Sequence, residues 1–485
     1  MKRLSLRVLA LVLALLLSGC RSSPSAIYAP GQNKIHLEYY TIGYEDRDLK
    51  LVEDALNRLL LERYGFTVSY HKIDWNDYLN QLNSLINTSQ QFDVAFTWGE
   101  HYLSKADNGV FMNLSPYLNS DRGQSLQQAV DPLFWKGVTV DGNIYGVPTN
   151  KELAAPLQFL FSKELVEKYG FDLSGPLTLE GLEPMLKTVA QNEPGCIPLF
   201  FDSDPMDLMA TQGYEYLTVN TSPLVIRTDD PKGRILNLYE TPEAQRLLRL
   251  LHRYYQAGYI NADAALRTGL SRFEDEKVFC RISNGGPYSS ESFSIDYGYP
   301  IIAVQASPAL VTNVSTQGGI MAINAKTRHP REAQIFLTAV NTDPDVRNLL
   351  NFGVEGIHYR MNENRQAELL STDYRGVPYA QGNWFILHTM AGEPQDKWDF
   401  YREFNQNARS SRLLGFVPNF RTVQETGQDL ARIVRQYQAP LMTGSVNPDL
   451  YLPRLNQALR KAGLQTVIDT LQPQVDAWLA RDQQP

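Results

Sequence analysis

The stretch QFDVAFTWGEHY, Gln91 to Tyr102, places an indole, a carboxylate and an imidazole together at Trp98, Glu100 and His101. Such groups can stack on an apolar ring face, accept hydrogen bonds and move a proton. Tyr44 and Glu45 repeat the pairing of aromatic and carboxylate earlier in the chain. Further candidates sit beside turn-forming residues. Asn150 and Glu152 follow Pro148, Tyr288 follows Gly285-Gly286-Pro287, Glu355 lies in GVEG, and Asn383 and Trp384 lie in QGNWF. Each has a bland alternative: Trp98 and Trp384 as core caps, Tyr288 as a turn-packing ring, Tyr44 and Glu45 as solvated side chains, and Glu355 as a structural turn residue.

Signatures of catalysis are largely absent. None of the seven histidines, at 36, 71, 101, 252, 329, 358 and 388, has another two to four positions away, so no short zinc spacing exists. There is no G-x-S-x-G elbow and no phosphate-binding P-loop. The stretch Asp202–Gly213 opens like a calcium loop but lacks the glycine at its sixth position and the closing glutamate. No metal or cofactor is expected. An Asp/Glu glycosidase pair is simply not indicated. The 26 Tyr, 20 Phe and 6 Trp are more informative. Flat aromatic platforms contribute about 0.5–1.5 kcal/mol each beyond area burial. Two or three of them, with several hydrogen bonds, reach the roughly 8 kcal/mol of micromolar binding. Carboxylates and amides beside such platforms suit the hydroxyls and C–H faces of sugars. Most of the aromatics must nevertheless be core, and Tyr39, Phe66 and Tyr78 fall on faces that read as buried.

Position and charge narrow the setting. Lys2, Arg3 and Arg7 precede an apolar run from Val8 to Leu17, and the segment reads as a secretory signal that takes no part in the fold. The run is too short for a comfortable membrane span. Its end, Leu17-Ser18-Gly19-Cys20, resembles a bacterial lipobox, which implies cleavage after residue 19 and lipid, palmitate included, on Cys20. One acyl chain holds a protein only marginally, so stable tethering needs more than one. Residues 20–34 read as a flexible, Ser/Pro/Gly-containing spacer. Removing residues 1–19 takes away three basic residues and no acidic one, moving the formal net charge from −8 to −11. A nucleic-acid partner is not expected for so acidic a chain. Spacing leaves open whether Cys196 and Cys280 pair.

The elements that must position these residues alternate from the start. IHLEYYTIG and FTVSYHKI read as strands, the apolar positions 49, 52, 56, 59 and 60 as a helix closed by Gly65, and WNDYLNQLNSLINTS as a second helix. With DVAFTW the order is βαβαβ, which predicts a parallel sheet. Ligands of open parallel sheets bind beyond the carboxyl ends of the strands. Those ends are residues 41–45, 74–77 and 98–102, each carrying an aromatic and a carboxylate. Farther on come the strand APLQFLFS, a helix-rich stretch, two more strands in YPIIAVQAS and GGIMAIN, and helical periodicity largely from His329 to Leu479.

The lipobox, the strand DVAFTW after βαβα, GNIYGVPTNKE with its apolar crossing strand and LVEKYGFD, and GGIMAINAKTRHPREAQIFLTAV occur in that order. In this the chain resembles the extracellular solute-binding lipoproteins of bacterial ABC importers. NFGVEGIHY, GNWF and AGLQTVIDTLQPQVDAWL resemble the LipO-like sugar-binding branch with an extended C-terminal region. The resemblance implies an α/β, two-lobed, periplasmic-binding-protein-like clamshell with crossing hinge strands. Lobe 1 would take residues 35–150 plus 309–345, and lobe 2 residues 151–308 plus 346–485. It also implies a monomer without enzymatic activity, lipid-anchored at the outer face of the cell membrane, that hands a carbohydrate or oligosaccharide to ABC permease subunits. A same-fold surface receptor for a peptide or other solute, or a glycan-active enzyme, is the alternative. The expected ligand contacts are Tyr44, Glu45, Trp98, Glu100, Asn150, Glu152, Tyr288, Glu355, Asn383 and Trp384.

Overall fold

The computed structural model describes residues 35–88, 92–203, 208–218, 222–267 and 276–481. The anticipated order is present: β1 (Ile35–Ile42), α1 (Leu49–Tyr64), β2 (Phe66–Ile73), α2 (Trp75–Asn87) and β3 (Val94–Thr97). Alternation dictates β1, with Leu37 and Tyr39 buried and His36 exposed. Val52, Leu56 and Leu60 line the buried face of α1. Gly65 ends that helix at φ 81°, where its N–H caps the carbonyls of Leu60 and Leu61, a left-handed position suited to glycine. β1 pairs in parallel with both β2 and β3. The strands Ile320–Ile323 and Val147–Pro148 complete a sheet whose edges are β2 and Val147–Pro148, and Ile320–Ile323 runs antiparallel to β3.

A second sheet orders the strands 301–305, 157–162, 278–284 and 197–199. Leu157–Ser162 is buried throughout, Gln158 and Ser162 included, as befits a strand covered on both faces. Each sheet has its own apolar core. The second core also takes in Leu413, Phe416 and the C-terminal helices 424–442, 448–461 and 464–481, through Leu430, Leu455 and Val475 among others.

Two expectations are corrected. Val346, Leu350, Tyr374, Val377 and Ala380 belong to the first core, although the boundary expected at residue 345 gave them to the second lobe. Helix Pro344–Phe352 packs on α1, and Arg63 bonds both Asp343 and Asp345. Residues 353–396 hold no α-helix, only the short 3-10 turns Pro378–Ala380 and Trp384–Ile386, and they form the hairpin 359–361/367–369 over a small apolar cluster of Phe352, Tyr359, Ala367 and Leu387. Cys196 and Cys280 are free thiols, the first pushed up to about 11 by burial and the second fully buried.

Three segments connect the cores: residues 149–156, 306–319 and 405–412. Side chains tie them together. Ser307 Oγ accepts from the Leu157 N–H at 2.9 Å, and Leu310–Val311 pairs in parallel with Arg409–Ser410. Asn313 donates to the carbonyls of Leu413 and Phe416 and accepts from the Gly415 N–H. Asn405 accepts from the Leu153 N–H and donates to the Lys151 carbonyl, both at 2.8 Å. Asn405→Ala should strip two main-chain groups of their partners and destabilise the protein by about 2–4 kcal/mol. Urea unfolding checks this; an unchanged midpoint with unchanged slope would show that water replaces the amide.

Candidate ligand-binding crevice

The carboxyl ends of β1, β2 and β3 come together in an aromatic shelf. Trp98 follows β3 in extended conformation and precedes α3 (Gly99–Asp107). Its ring lies 4.8 Å from Trp75, 5.4 Å from Phe96 and 4.7 Å from His101, the last edge-on. Gly99 has φ 43°, a left-handed turn that a side chain would strain, and its N–H reaches the Gln317 carbonyl of the second connection at 3.0 Å. Trp98 is half-buried: one face packs on the core, and the rest lies at the shelf. The backbone of Glu100 lies in α3, while its side chain is outside the described residues.

Trp75 was not among the expected contacts, yet it is 47 % exposed. It opens α2 just after β2, behind the cap Asp74 that accepts from the Asn76 N–H, whereas Trp98 is itself the residue that caps α3 after β3. Tyr44 and Glu45 are exposed after β1. Their loop is braced from below: Asp46 pairs with the buried Lys72, and Arg47 meets Asp373 at 3.0 Å. Burial pulls the Lys72 ammonium below its ordinary pKa, against the pull of Asp46.

A second aromatic group stands at the first and third connections. Trp384 donates its indole N–H to the Pro378 carbonyl at 2.8 Å and lies near Trp398 and Tyr401. Lys151 stands 5.8 Å over the Trp384 ring and is paired with Glu152. Lys397 stands 4.8 Å over Trp398 and is paired with Glu393 at 2.5 Å. Tyr401 is raised well above the ordinary phenol pKa, by burial first and then by Glu152 and Glu393. Glu152 is buried, and its Oε2 has no hydrogen-bond partner.

Asn150 and Asn383 require correction as ligand contacts. Both are buried; Asn150 donates to Asn383 and to the Ala129 carbonyl, while Asn383 donates to Asn341 and caps Phe385. Their amides hold the chain that carries Trp384. Tyr288 sits at φ 56° at the start of helix Ser289–Tyr297, its ring tilted 53° to that of the exposed Phe400 at 5.1 Å. Glu355 is exposed beside His388, at the small satellite cluster rather than at either aromatic group. A concavity of about 650 Å³ lies along β2 and α2, lined by Tyr40, His71, Asp77 and Gln81. Tyr40 stacks on His71 there at 4.2 Å, but neither Trp75 nor Trp98 lines it. No cluster of three or more metal-ligating side chains occurs among the described residues; residues 204–207 of the calcium-like stretch fall outside them.

Residues 58–354 match the family described as bacterial extracellular solute-binding protein. The chain belongs to that family. Residues 412–480, the C-terminal helices of the second core, match a domain of unknown function (DUF3502). The chain is 27 % identical over 496 residues to a carbohydrate ABC transporter substrate-binding protein of Streptococcus pneumoniae, covering 98 % of this chain and 97 % of the relative. It is also similar, at 22 % identity over 75 % of each chain, to the polygalacturonan/rhamnogalacturonan-binding protein YtcQ of Bacillus subtilis. Among solved structures, the N-glycan transport solute binding protein NgtS of S. pneumoniae aligns with TM-score 0.84 and 26 % identity, over 93 % of this chain and all of that one. Its complex with Man5GlcNAc aligns at 0.81. The solute-binding fold has two lobes, and the two cores and three connections above are how this chain builds it. No helix among the described residues is long and apolar enough to cross a membrane.

Proposed function

We propose that this protein is the substrate-capturing component of an ABC importer, that it encloses an oligosaccharide between its lobes, and that lipid on Cys20 holds it at the outer face of the cell membrane. The observation that carries the sugar reading is the shelf of Trp75 and Trp98 at the carboxyl edge of the first sheet, in a chain whose relatives bind glycans. Rings set side by side offer a sugar's C–H face a broad apolar surface. Closure follows from contacts: only a closed form touches the ligand from both lobes, so ligand shifts the equilibrium toward it. The protein then acts as a monomeric receptor for a permease and turns nothing over.

A thermal-shift panel of glycans and peptides tests this, since ligand stabilises as RT ln(1 + [L]/Kd). Stabilisation by an oligosaccharide without its cleavage is the expected result. Stabilisation by peptides alone would favour a peptide receptor, and glycan turnover an enzyme. Saturating ligand should also lower the radius of gyration in solution scattering; an unchanged curve would sink the closure mechanism. Cys20 lies outside the described residues. Cys20→Ala should abolish labelling by a fatty-acid probe in cells, because the thioether needs that sulfur.

A further inference from the structure

We propose that the crevice selects an uncharged oligosaccharide over uronic-acid chains, and that Glu152 enforces the choice by accepting a hydrogen bond from a ligand hydroxyl or amide. The proposal rests on the oligosaccharide reading above and narrows it. The choice is a real one, because relatives of this chain include a polygalacturonan-binding protein as well as a carbohydrate transporter subunit.

An acidic glycan needs cations that are free to meet its carboxylates. Both lysines over the second aromatic group are already neutralised, Lys151 by Glu152 and Lys397 by Glu393. The side chains of both pairs are at most 12 % exposed, so salt screens them poorly. Asp296 adds a third carboxylate; burial raises its pKa, with Lys397 and Glu393 as its charged neighbours. On the shelf side, Arg47 is held by Asp373. Arg375 shares its hollow with Glu45, Asp46, Arg47 and Asp373, and with the Lys72 that Asp46 pairs the acids there balance the bases. A uronate would therefore arrive where negative charge already balances or exceeds positive charge, and like charges brought together without a counter-ion suppress binding.

Glu152 supplies the positive selection. It sits where the first connection meets the second lobe: a methyl group built on Gly286 would lie 3.4 Å from Glu152 Cγ and 3.6 Å from the Tyr401 ring. One carboxylate oxygen is taken by Lys151, while Oε2 is buried without a partner. A buried acceptor left unmade is unfavourable, and a sugar hydroxyl or acetamido N–H satisfies it. A galacturonide has ring hydroxyls that can do the same, so discrimination against it comes from its carboxylate, which is ionised at neutral pH, has no proton to donate and meets no free cation beside the Glu152–Lys151 pair.

Calorimetry on the whole mature protein decides, with an uncharged mannosyl-N-acetylglucosamine oligosaccharide and trigalacturonate as probes at low and high salt. We expect the uronide to bind about 100-fold more weakly or worse, with most of the gap persisting as salt rises. Glu152→Gln keeps the side-chain shape and releases Lys151. It should weaken the uncharged probe about 5- to 20-fold and strengthen trigalacturonate. Circular dichroism and the unfolding midpoint confirm that the variant is folded. A wild-type protein that binds trigalacturonate as tightly as the uncharged probe overturns the selectivity and leaves the oligosaccharide reading standing. Unchanged affinities in Glu152→Gln overturn the role of Glu152. If neither sugar binds and a peptide does, the reading itself falls and the proposal with it.

Discussion

Trp75→Ala is expected to weaken oligosaccharide binding by about tenfold while leaving the unfolding midpoint almost unchanged. The ring is 47 % exposed and leans on Trp98 at 4.8 Å and on Phe96 at 6.1 Å, so the free protein loses little on its removal. The bound state loses stacking and apolar burial together, roughly 1.5 kcal/mol. Trp98→Ala should differ in kind. Its indole also contacts Tyr78 and packs against the first core, so its removal opens a gap under the shelf. Full burial of a tryptophan would put the stability loss at about 3–5 kcal/mol; half-burial brings it to roughly 2–3 kcal/mol. Affinity should fall as well, by about 10- to 200-fold, because Trp75 loses its support. Calorimetry and urea unfolding on both variants separate the effects. Intact affinity in Trp75→Ala would mean that the shelf does not meet the ligand.

The contrast between the two tryptophans shows what sequence pattern reaches. Period-two alternation in IHLEYYTIG and helical spacing from Leu49 to Leu60 report which face is buried, and they locate the strand ends where Trp98 and Trp75 both stand. Trp98 drew notice because it ends an apolar run. Trp75 gives a weaker signal: it is the aromatic of the strand end 74–77, but it opens a helix whose own pattern begins at Tyr78. The surroundings of Asn150 and Asn383 are illegible in the sequence for a different reason. A polar residue beside a turn looks the same in sequence whether it faces solvent or another amide, and these two are joined across 233 positions. The division of the lobes failed similarly at Val346 to Ala380. Those residues carry no periodicity that says which core they join; that is decided by Arg63 reaching Asp343 and by burial of Tyr374 beneath the first sheet.

Arg347 provides the largest stability effect we expect. Its side chain is completely buried, yet it forms no ion pair; it donates to the Pro378 carbonyl at 3.1 Å and distantly to Asn351, and its Nε has no partner. Burial holds its pKa down to about 10, with Tyr39, Tyr70 and Tyr374 as its polar surroundings. A buried cation without a carboxylate is unfavourable in itself, so the benefit of this side chain lies in the volume it fills and in the carbonyl it satisfies. Arg347→Ala should remove most of that volume from the middle of the first core and destabilise the protein by about 3–5 kcal/mol. Arg347→Met keeps much of the volume and removes the desolvated charge, while the Pro378 carbonyl retains the Trp384 indole N–H. The methionine variant should therefore lie within about 1.5 kcal/mol of the parent or exceed it in stability. Urea midpoints of the three proteins give the answer. If methionine proves as damaging as alanine, the guanidinium holds this core together by its hydrogen bonds rather than by its bulk.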